Sequence, residues 1–261
     1  MPIREYFEEL EFDLPSALLS QLVLLLDEMP EGPLEAAAVQ KIDDAQGVYQ
    51  LFLNGELVYI GKTDAQAGLR ARLLRHAIKI RSRQNLAHDT IGFKAVRVFV
   101  FTAMDLEELL IKHYKDSPTP PIWNLSGFGS NDPGRNRDHT LLKAGHFDKK
   151  YPIDLDLRVE LYAPDGKATA AAVLTQLKDQ LAYNIRFEGK TSKSKSPHPE
   201  LVETEVHLPN NVDTVSNILR RVKTALGAEW QITALPGYVI AYKEKTTYKE
   251  GITIQPAAIN P

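Results

Sequence analysis

Residues 47–63 read GVYQLFLNGELVYIGKT, and they decide the architecture of the chain. Two apolar runs flank Asn54-Gly55. An Asn-Gly pair between such runs is the strongest short-range signal for a β-hairpin. Tyr49 falls in the first strand and Tyr59 in the second. Whether they share a face depends on the loop, because a slip of one residue turns every side chain over. A two-residue turn pairs Leu53 with Glu56, opposes Tyr49 to Ile60 and sends the tyrosines to opposite faces. A three-residue loop, Leu53-Asn54-Gly55 with Gly55 as a left-handed bulge, pairs Phe52 with Glu56 and sets Tyr49 across from Tyr59. We expect the bulged loop, since only that register lets both phenols serve one site.

Beyond Lys62 the spacing predicts a helix from Leu69 to Ile80, on which Arg72 and His76 are four apart and share a face. Residues 62–83 carry Lys62, Arg70, Arg72, Arg75, Lys79, Arg81 and Arg83 against one acid, Asp64. Such a run is either a solvated helix face or a phosphate-tracking surface, and its place directly after the hairpin favours phosphate. A strand is expected over Lys94–Phe101. Thr102-Ala-Met-Asp105 then reads as a capping box that opens a helix to Lys115. On that helix Glu108 aligns with Lys112 and Lys115, the polar face, whereas Glu107 aligns with Leu110, Ile111 and Tyr114, the apolar face. A carboxylate on the inward stripe is costly unless it is paired or holds a metal, which makes Glu107 the candidate ligand.

Outward from this centre the texture changes. Residues 1–35 hold nine acids and one base. Within them Ser16–Glu28 sets leucines at 18, 19, 22, 25 and 26, a helical spacing, before Pro30-Glu-Gly-Pro33 breaks it. This segment reads as a cap helix on the domain that follows, with a dimerisation or regulatory arm as the alternative. From Tyr151 onward we expect strands at Leu155–Tyr162, Ile185–Glu188, Leu201–Leu208, Trp230–Ala234 and Tyr238–Lys243. Helices are expected at Ala168–Tyr183 and Val212–Leu226. The two halves repeat a strand–turn–helix–strand rhythm, an internal duplication in a small α+β domain of ferredoxin-like type. GKTSKSKSPHP links the halves as a basic, flexible loop, and IQPAAINP reads as a tail. The fold class is therefore α+β.

Composition narrows the chemistry. The 261 residues include no cysteine, which excludes disulfides, thiolate metal sites and cysteine nucleophiles. A net charge of -3 excludes a globally basic nucleic-acid binder but leaves a local basic surface open. MPIREYFEEL is acidic where a signal peptide is basic, and the longest apolar run, Leu22–Leu26, falls far short of the roughly 20 residues that span a bilayer. A cytoplasmic protein without membrane contact is expected.

These residues resemble the GIY-YIG nuclease family. Gly47-Val48-Tyr49 corresponds to its first signature and Tyr59-Ile60-Gly61 to its second, followed by Lys62. Arg72 matches the helix arginine, with His76 after it, Glu107 the metal glutamate and Asn124 the terminal asparagine. The likeness covers about residues 45–125. IWNLSGFGSNDPGRNRD, followed by HFDKKYP, is similar to the segment after the asparagine in the type II restriction endonucleases of that family. The chain departs from that branch in its minimal connection between the tyrosine strands. The resemblance implies a GIY-YIG endonuclease domain at 41–150 built on a small antiparallel sheet flanked by helices; on the residue patterns above we expect an acidic helical arm at 1–40 before it and an accessory α+β domain at 151–261 after it, for DNA recognition or oligomerisation.

It further implies hydrolysis of DNA phosphodiesters with magnesium, for which manganese substitutes, held by Glu107. Arg72 would neutralise the scissile phosphate. Tyr49 would activate water, with neighbouring cations favouring its phenolate, His76 taking the proton and Tyr59 orienting water or phosphate; Lys62 is the alternative base or a phosphate contact. Asn124 would hold the site by hydrogen bonds. Lys62, Arg70, Arg75, Lys79, Arg135 and Arg137 would contact double-stranded DNA, with loop 127–137 or GKTSKSKSP reading bases. A palindromic target implies a homodimer, and restriction implies a companion methyltransferase. A nicking GIY-YIG nuclease of repair, mobile elements or phage defence, and a catalytically inert DNA-binding module, are the alternatives.

Overall fold

The computed structural model describes residue 6 and residues 11–63, 67–99, 105–129, 134–191 and 194–257. It is a mixed α+β protein with small antiparallel sheets and helices. Two compact units divide the chain: residues 1–74 with 89–124, and residues 75–88 with 125–261. The second unit thus includes residues 125–150 and the end of the basic helix as well as the C-terminal region.

In the first unit the elements are α1 (Leu14–Glu28), β1 (Gly32–Pro33), α2 (Ala36–Val39), β2 (Gly47–Leu53), β3 (Glu56–Thr63), the start of α3 (Leu69–Arg81), β4 (Ile91–Arg97) and α4 (Leu106–Tyr114). The sheet order is β1-β4-β2-β3, antiparallel throughout. Val100 and Phe101, expected to end β4, lie outside the described residues. On one sheet face Val48, Phe52, Leu57 and Ile60 pack with Leu22 and Leu26 of α1 and Leu106 and Leu110 of α4. The N-terminal segment is therefore a cap helix built into this core. Its start is fixed by Asp13, whose carboxylate accepts from the Ser16 N–H, with Pro15 in the first turn. The other face carries Tyr49, Leu51 and Tyr59, all buried.

The hairpin register corrects our expectation of a three-residue loop. Leu53 pairs with Glu56 across a two-residue turn. Asn54 and Gly55 both adopt positive φ, 52° and 80°, which suits a primed turn whose twist matches the strands. The extra residue sits instead inside β3: Leu51 pairs with Tyr59 and Phe52 with Leu57, so Val58 is a bulge. That bulge restores the parity which the tight turn would have lost. Tyr49 pairs with Gly61, two positions along from Tyr59, and both phenols emerge on one face. An edge strand tolerates the irregularity because its outer side bonds no further strand, and here the Trp123 N–H donates to the Val58 carbonyl at 2.8 Å.

The second unit contains the end of α3, α5 (Phe147–Lys150), β5 (Arg158–Glu160), β6 (Lys167–Thr169), α6 (Ala170–Gln180), β7 (Asn184–Phe187), α7 (Pro199–Glu203), β8 (Glu205–His207), β9 (Val212–Thr214), α8 (Val215–Leu226), β10 (Gln231–Leu235), β11 (Tyr238–Tyr242) and β12 (Ile252–Thr253). Three expectations are corrected. The strand placed at 201–208 opens as a short helix, because Pro199 and the His198 cap start one there; the helices placed at 168 and at 212 each begin after a short strand. The four-stranded sheet runs β12-β10-β11-β7, with β7 parallel to β11.

The duplication read in the sequence has a structural counterpart. Thr169 and Thr214, 45 positions apart, both cap helices through their hydroxyls, each accepting an N–H three residues on at 3.2 Å. The same offset relates buried Val173 to Ile218, Leu174 to Leu219 and Leu177 to Val222. The halves exchange strands: β5 pairs with β9 and β6 with β8. Correspondingly, the Leu161 N–H donates to the Asn211 carbonyl and the Leu208 N–H to the Gly166 carbonyl, both at 2.7 Å.

Candidate active site

The site in the first unit begins with two glycines. A Cβ at Gly61 would stand 2.3 Å from Cζ and Oη of Tyr49, so the bare backbone of one signature is the bed for the tyrosine of the other. A Cβ at Gly47 would stand 2.2 Å from the Val96 carbonyl oxygen and 2.8 Å from Leu69 Cδ1. Both contacts are closer than van der Waals distance, and both glycines are therefore demanded by packing.

Tyr49 is completely buried and Tyr59 is 5% exposed; their ring centroids lie 6.1 Å apart, tilted by 43°. Arg72, in the first turn of α3, donates from Nε to Tyr49 Oη at 3.4 Å. Burial pushes the Tyr49 phenol above its ordinary value, Tyr59 adds to the shift, and Arg72 opposes it. Tyr59 is raised chiefly by burial and then by Glu107, again with Arg72 opposing. In the protein alone, desolvation at Tyr49 thus works against a phenolate and the Arg72 guanidinium works for it.

Glu107 sits in the first turn of α4, half-buried, while Glu108 is exposed, as their helical phases require. Burial raises the Glu107 carboxyl, Asp105 raises it further, and Lys62 and Arg72 oppose. The capping box is corrected as well. Asp105 itself is the N-cap and accepts from the Glu107 and Glu108 N–H groups at 3.1 and 3.2 Å. Residues 102–104 lie outside the described residues. Asp105 also receives Lys62 Nζ at 2.6 Å. That hydrogen bond holds the Lys62 ammonium above its usual value, which disfavours Lys62 as a neutral base. Asp105 was missed in the sequence as a member of the site; its place two residues before the candidate ligand was the available signal.

Asn124 grips the edge strand with both ends of its amide. Its Oδ1 accepts from the Ile60 N–H at 2.9 Å and its Nδ2 donates to the Ile60 carbonyl at 2.7 Å. It does for β3 what a further strand would do, at the central residue of Tyr59-Ile60-Gly61.

Three further predicted residues, His76, Lys79 and Arg135, have partners within the second unit. His76, in the second unit, is 5% exposed and stacks on Phe128 with centroids 4.9 Å apart. Lys79 Nζ donates to the Phe128 carbonyl and lies 4.7 Å from that ring's centroid. Arg135 is bound to Glu188 at 3.0 Å and lies over Tyr242 at 4.1 Å. Arg70 is half-buried; Arg75 and Arg137 are exposed.

Among the described residues no three carboxylate or imidazole side chains converge as a closed metal cage. Magnesium does not need one: it keeps several waters and is commonly anchored by one or two carboxylates with substrate phosphates. Glu107, a half-buried carboxylate raised by burial and by a neighbouring acid, fits that donor set. No described helix is long and apolar enough to cross a membrane. No family model matches the chain, and neither does any curated protein.

Proposed function

We propose that the chain is a metal-dependent DNA endonuclease of the GIY-YIG type, and that it acts as a type II restriction enzyme. One observation carries the reading. Two buried phenols share a sheet face over Gly61, Arg72 donates to one of them, and the half-buried Glu107 carboxylate stands in the first turn of α4, which packs against the Tyr59 strand β3. Taken as packing residues, these groups leave the arginine and the inward carboxylate without a reason. Taken as a phosphodiester site, each has a task.

Arg72 presents its guanidinium fork to the scissile phosphate. Glu107 would hold magnesium, which when bound would supply Lewis-acid stabilisation of the leaving oxygen and of the negative charge on the phosphoryl oxygens. Tyr49 and Tyr59 enter as neutral phenols that orient the attacking water and a phosphate oxygen. Asn124 keeps Tyr59 and Gly61 in register. Lys62, exposed beside the site, meets the DNA backbone by exchanging Asp105 for phosphate. A homodimer delivers two such sites to a palindrome, and a companion methyltransferase protects the host sequence.

Digestion of phage or plasmid DNA with magnesium, followed by sequencing of the ends, tests this. Both strands cut at one short palindrome, with cleavage lost in Glu107→Ala while DNA binding persists, is the expected result. Intact DNA over a range of substrates overturns it.

A further inference from the structure

The second unit holds a half-open cleft of about 640 Å³ that the cleavage site does not use. That volume is in the range that accepts a compact organic ligand. Its lining includes the Arg83–Asp148 pair, 2.9 Å apart, with the Arg83 side chain 3% and that of Asp148 22% exposed; Arg83 also donates to the carbonyls of Tyr151 and Pro236. Arg83 therefore ties the end of α3, α5 and the β10–β11 turn into one rigid base.

Charge around the cleft is unbalanced in a specific way. Each of its three acids already has a cation: Asp138 has Arg186, Asp148 has Arg83, and Glu250 has Lys149 at 2.8 Å. Two of its cations, Arg137 and Lys143, are exposed and make no ion pair among the described residues. An anion entering the cleft thus meets two available positive charges and no uncompensated carboxylate. The lining mixes polar and apolar surface in about equal measure. Leu125 and Leu141 stand 91% and 55% exposed, beside the half-buried Tyr238. Exposed leucines at a concave, cationic mouth suit a ligand with a flat apolar part and an anionic one.

We propose that this cleft binds a nucleotide unit, phosphate on Arg137 and Lys143 and base against Leu125, Leu141 and Tyr238. The choice of a nucleotide among flat organic anions rests on the DNA reading above. The same chemistry has two sources, a free mononucleotide or an unpaired nucleotide within DNA, and the test separates them.

Full-length Glu107→Ala protein, unable to cut, is titrated against three probes: 2-aminopurine deoxyribonucleoside monophosphate, a duplex carrying one unpaired 2-aminopurine, and the same duplex fully paired. Changes in 2-aminopurine emission report binding of the base. The proposal expects saturable binding of the free nucleotide or of the unpaired duplex. Arg137→Glu and Lys143→Glu should each weaken it about tenfold, as the loss of one charge-assisted contact does. Leu141→Asp should weaken it with phosphate affinity unchanged. Both cations are exposed, so unchanged thermal melting certifies folding. Free nucleotide alone identifies an effector site, and the unpaired duplex alone identifies an extrahelical base. No emission change with either, the same emission change for paired and unpaired duplexes without saturable binding of the free nucleotide, or full competition by inorganic phosphate at equal concentration overturns the proposal. Failure here leaves cleavage by the unmutated chain untouched, and loss of cleavage leaves this binding measurable, so the two readings fail separately.

Discussion

Tyr49 lies directly on Gly61, with no room between the phenol and the backbone for even a methyl group. The relationship joins the two signature strands, which pair at these two positions. Gly61→Ala should therefore cost about 1–3 kcal/mol, as overpacking of a rigid core does. In a Tyr49→Ala background the same substitution should cost far less, because the colliding atoms are gone. Denaturant midpoints of the four proteins measure the coupling; additive effects would contradict the contact.

Asn124→Ala removes both partners of Ile60 at once. An unsatisfied buried donor or acceptor costs about 1–3 kcal/mol. Hydrogen exchange at the Ile60 amide should accelerate, and the effect should spread to Val58, whose carbonyl bonds the adjacent Trp123 N–H. Asn124→Asp keeps the acceptor for the Ile60 N–H but turns a carboxylate oxygen toward the Ile60 carbonyl. It should be no more stable than the alanine variant.

Asp105 is a positioning residue, joining Lys62 after the hairpin to the helix turn that presents Glu107. Asp105→Ala should destabilise by about 1 kcal/mol through the lost cap. Asp105→Asn retains a capping oxygen and should lose little, since both partners of the ion pair are more than 40% exposed and such pairs contribute little. The Asp105 carboxyl is lowered, first by the Lys62 hydrogen bond, so its stabilisation is present above the ordinary aspartate value of about 4 and fades as pH falls through the lowered one. Acid melts should show a shallower pH dependence in Asp105→Asn than in the parent protein.

Tyr49 gives a signal at the opposite end of the pH scale. Burial holds its phenol protonated beyond the ordinary value of about 10, where the unfolded chain ionises. Stability should therefore fall as pH rises above that point, and Tyr49→Phe should reduce the slope. In single-turnover cleavage a neutral orienting phenol predicts a rate independent of its ionisation up to about pH 9. A rate that climbs tenfold per pH unit through that range, and loses the climb in Tyr49→Phe, would restore the phenolate as base.

Much of this site was legible before any coordinates. Asn54-Gly55 announced the hairpin through backbone preference, and helical phase separated the inward Glu107 from the exposed Glu108. Both are local properties, set within one or two turns of chain. The duplication in the second unit was legible as a repeated strand–turn–helix–strand rhythm, whereas its constant offset of 45 and its matching threonine caps came from the structure.

What escaped is non-local. The Val58 bulge depends on an edge position and on an N–H brought from Trp123, and no pattern within residues 47–63 reports either. The partner of Lys62 lies 43 positions away, and those of Arg135 lie 53 and 109 away. Residue order settled which groups are present and the phase of each along its own strand or helix, because backbone sterics and side-chain period act over a few residues. Packing settled that both phenols point the same way, that Tyr49 is fully buried against Gly61, and which cations remain available to a ligand. Those outcomes depend on what distant segments place within a few ångströms, where desolvation and ion pairing operate.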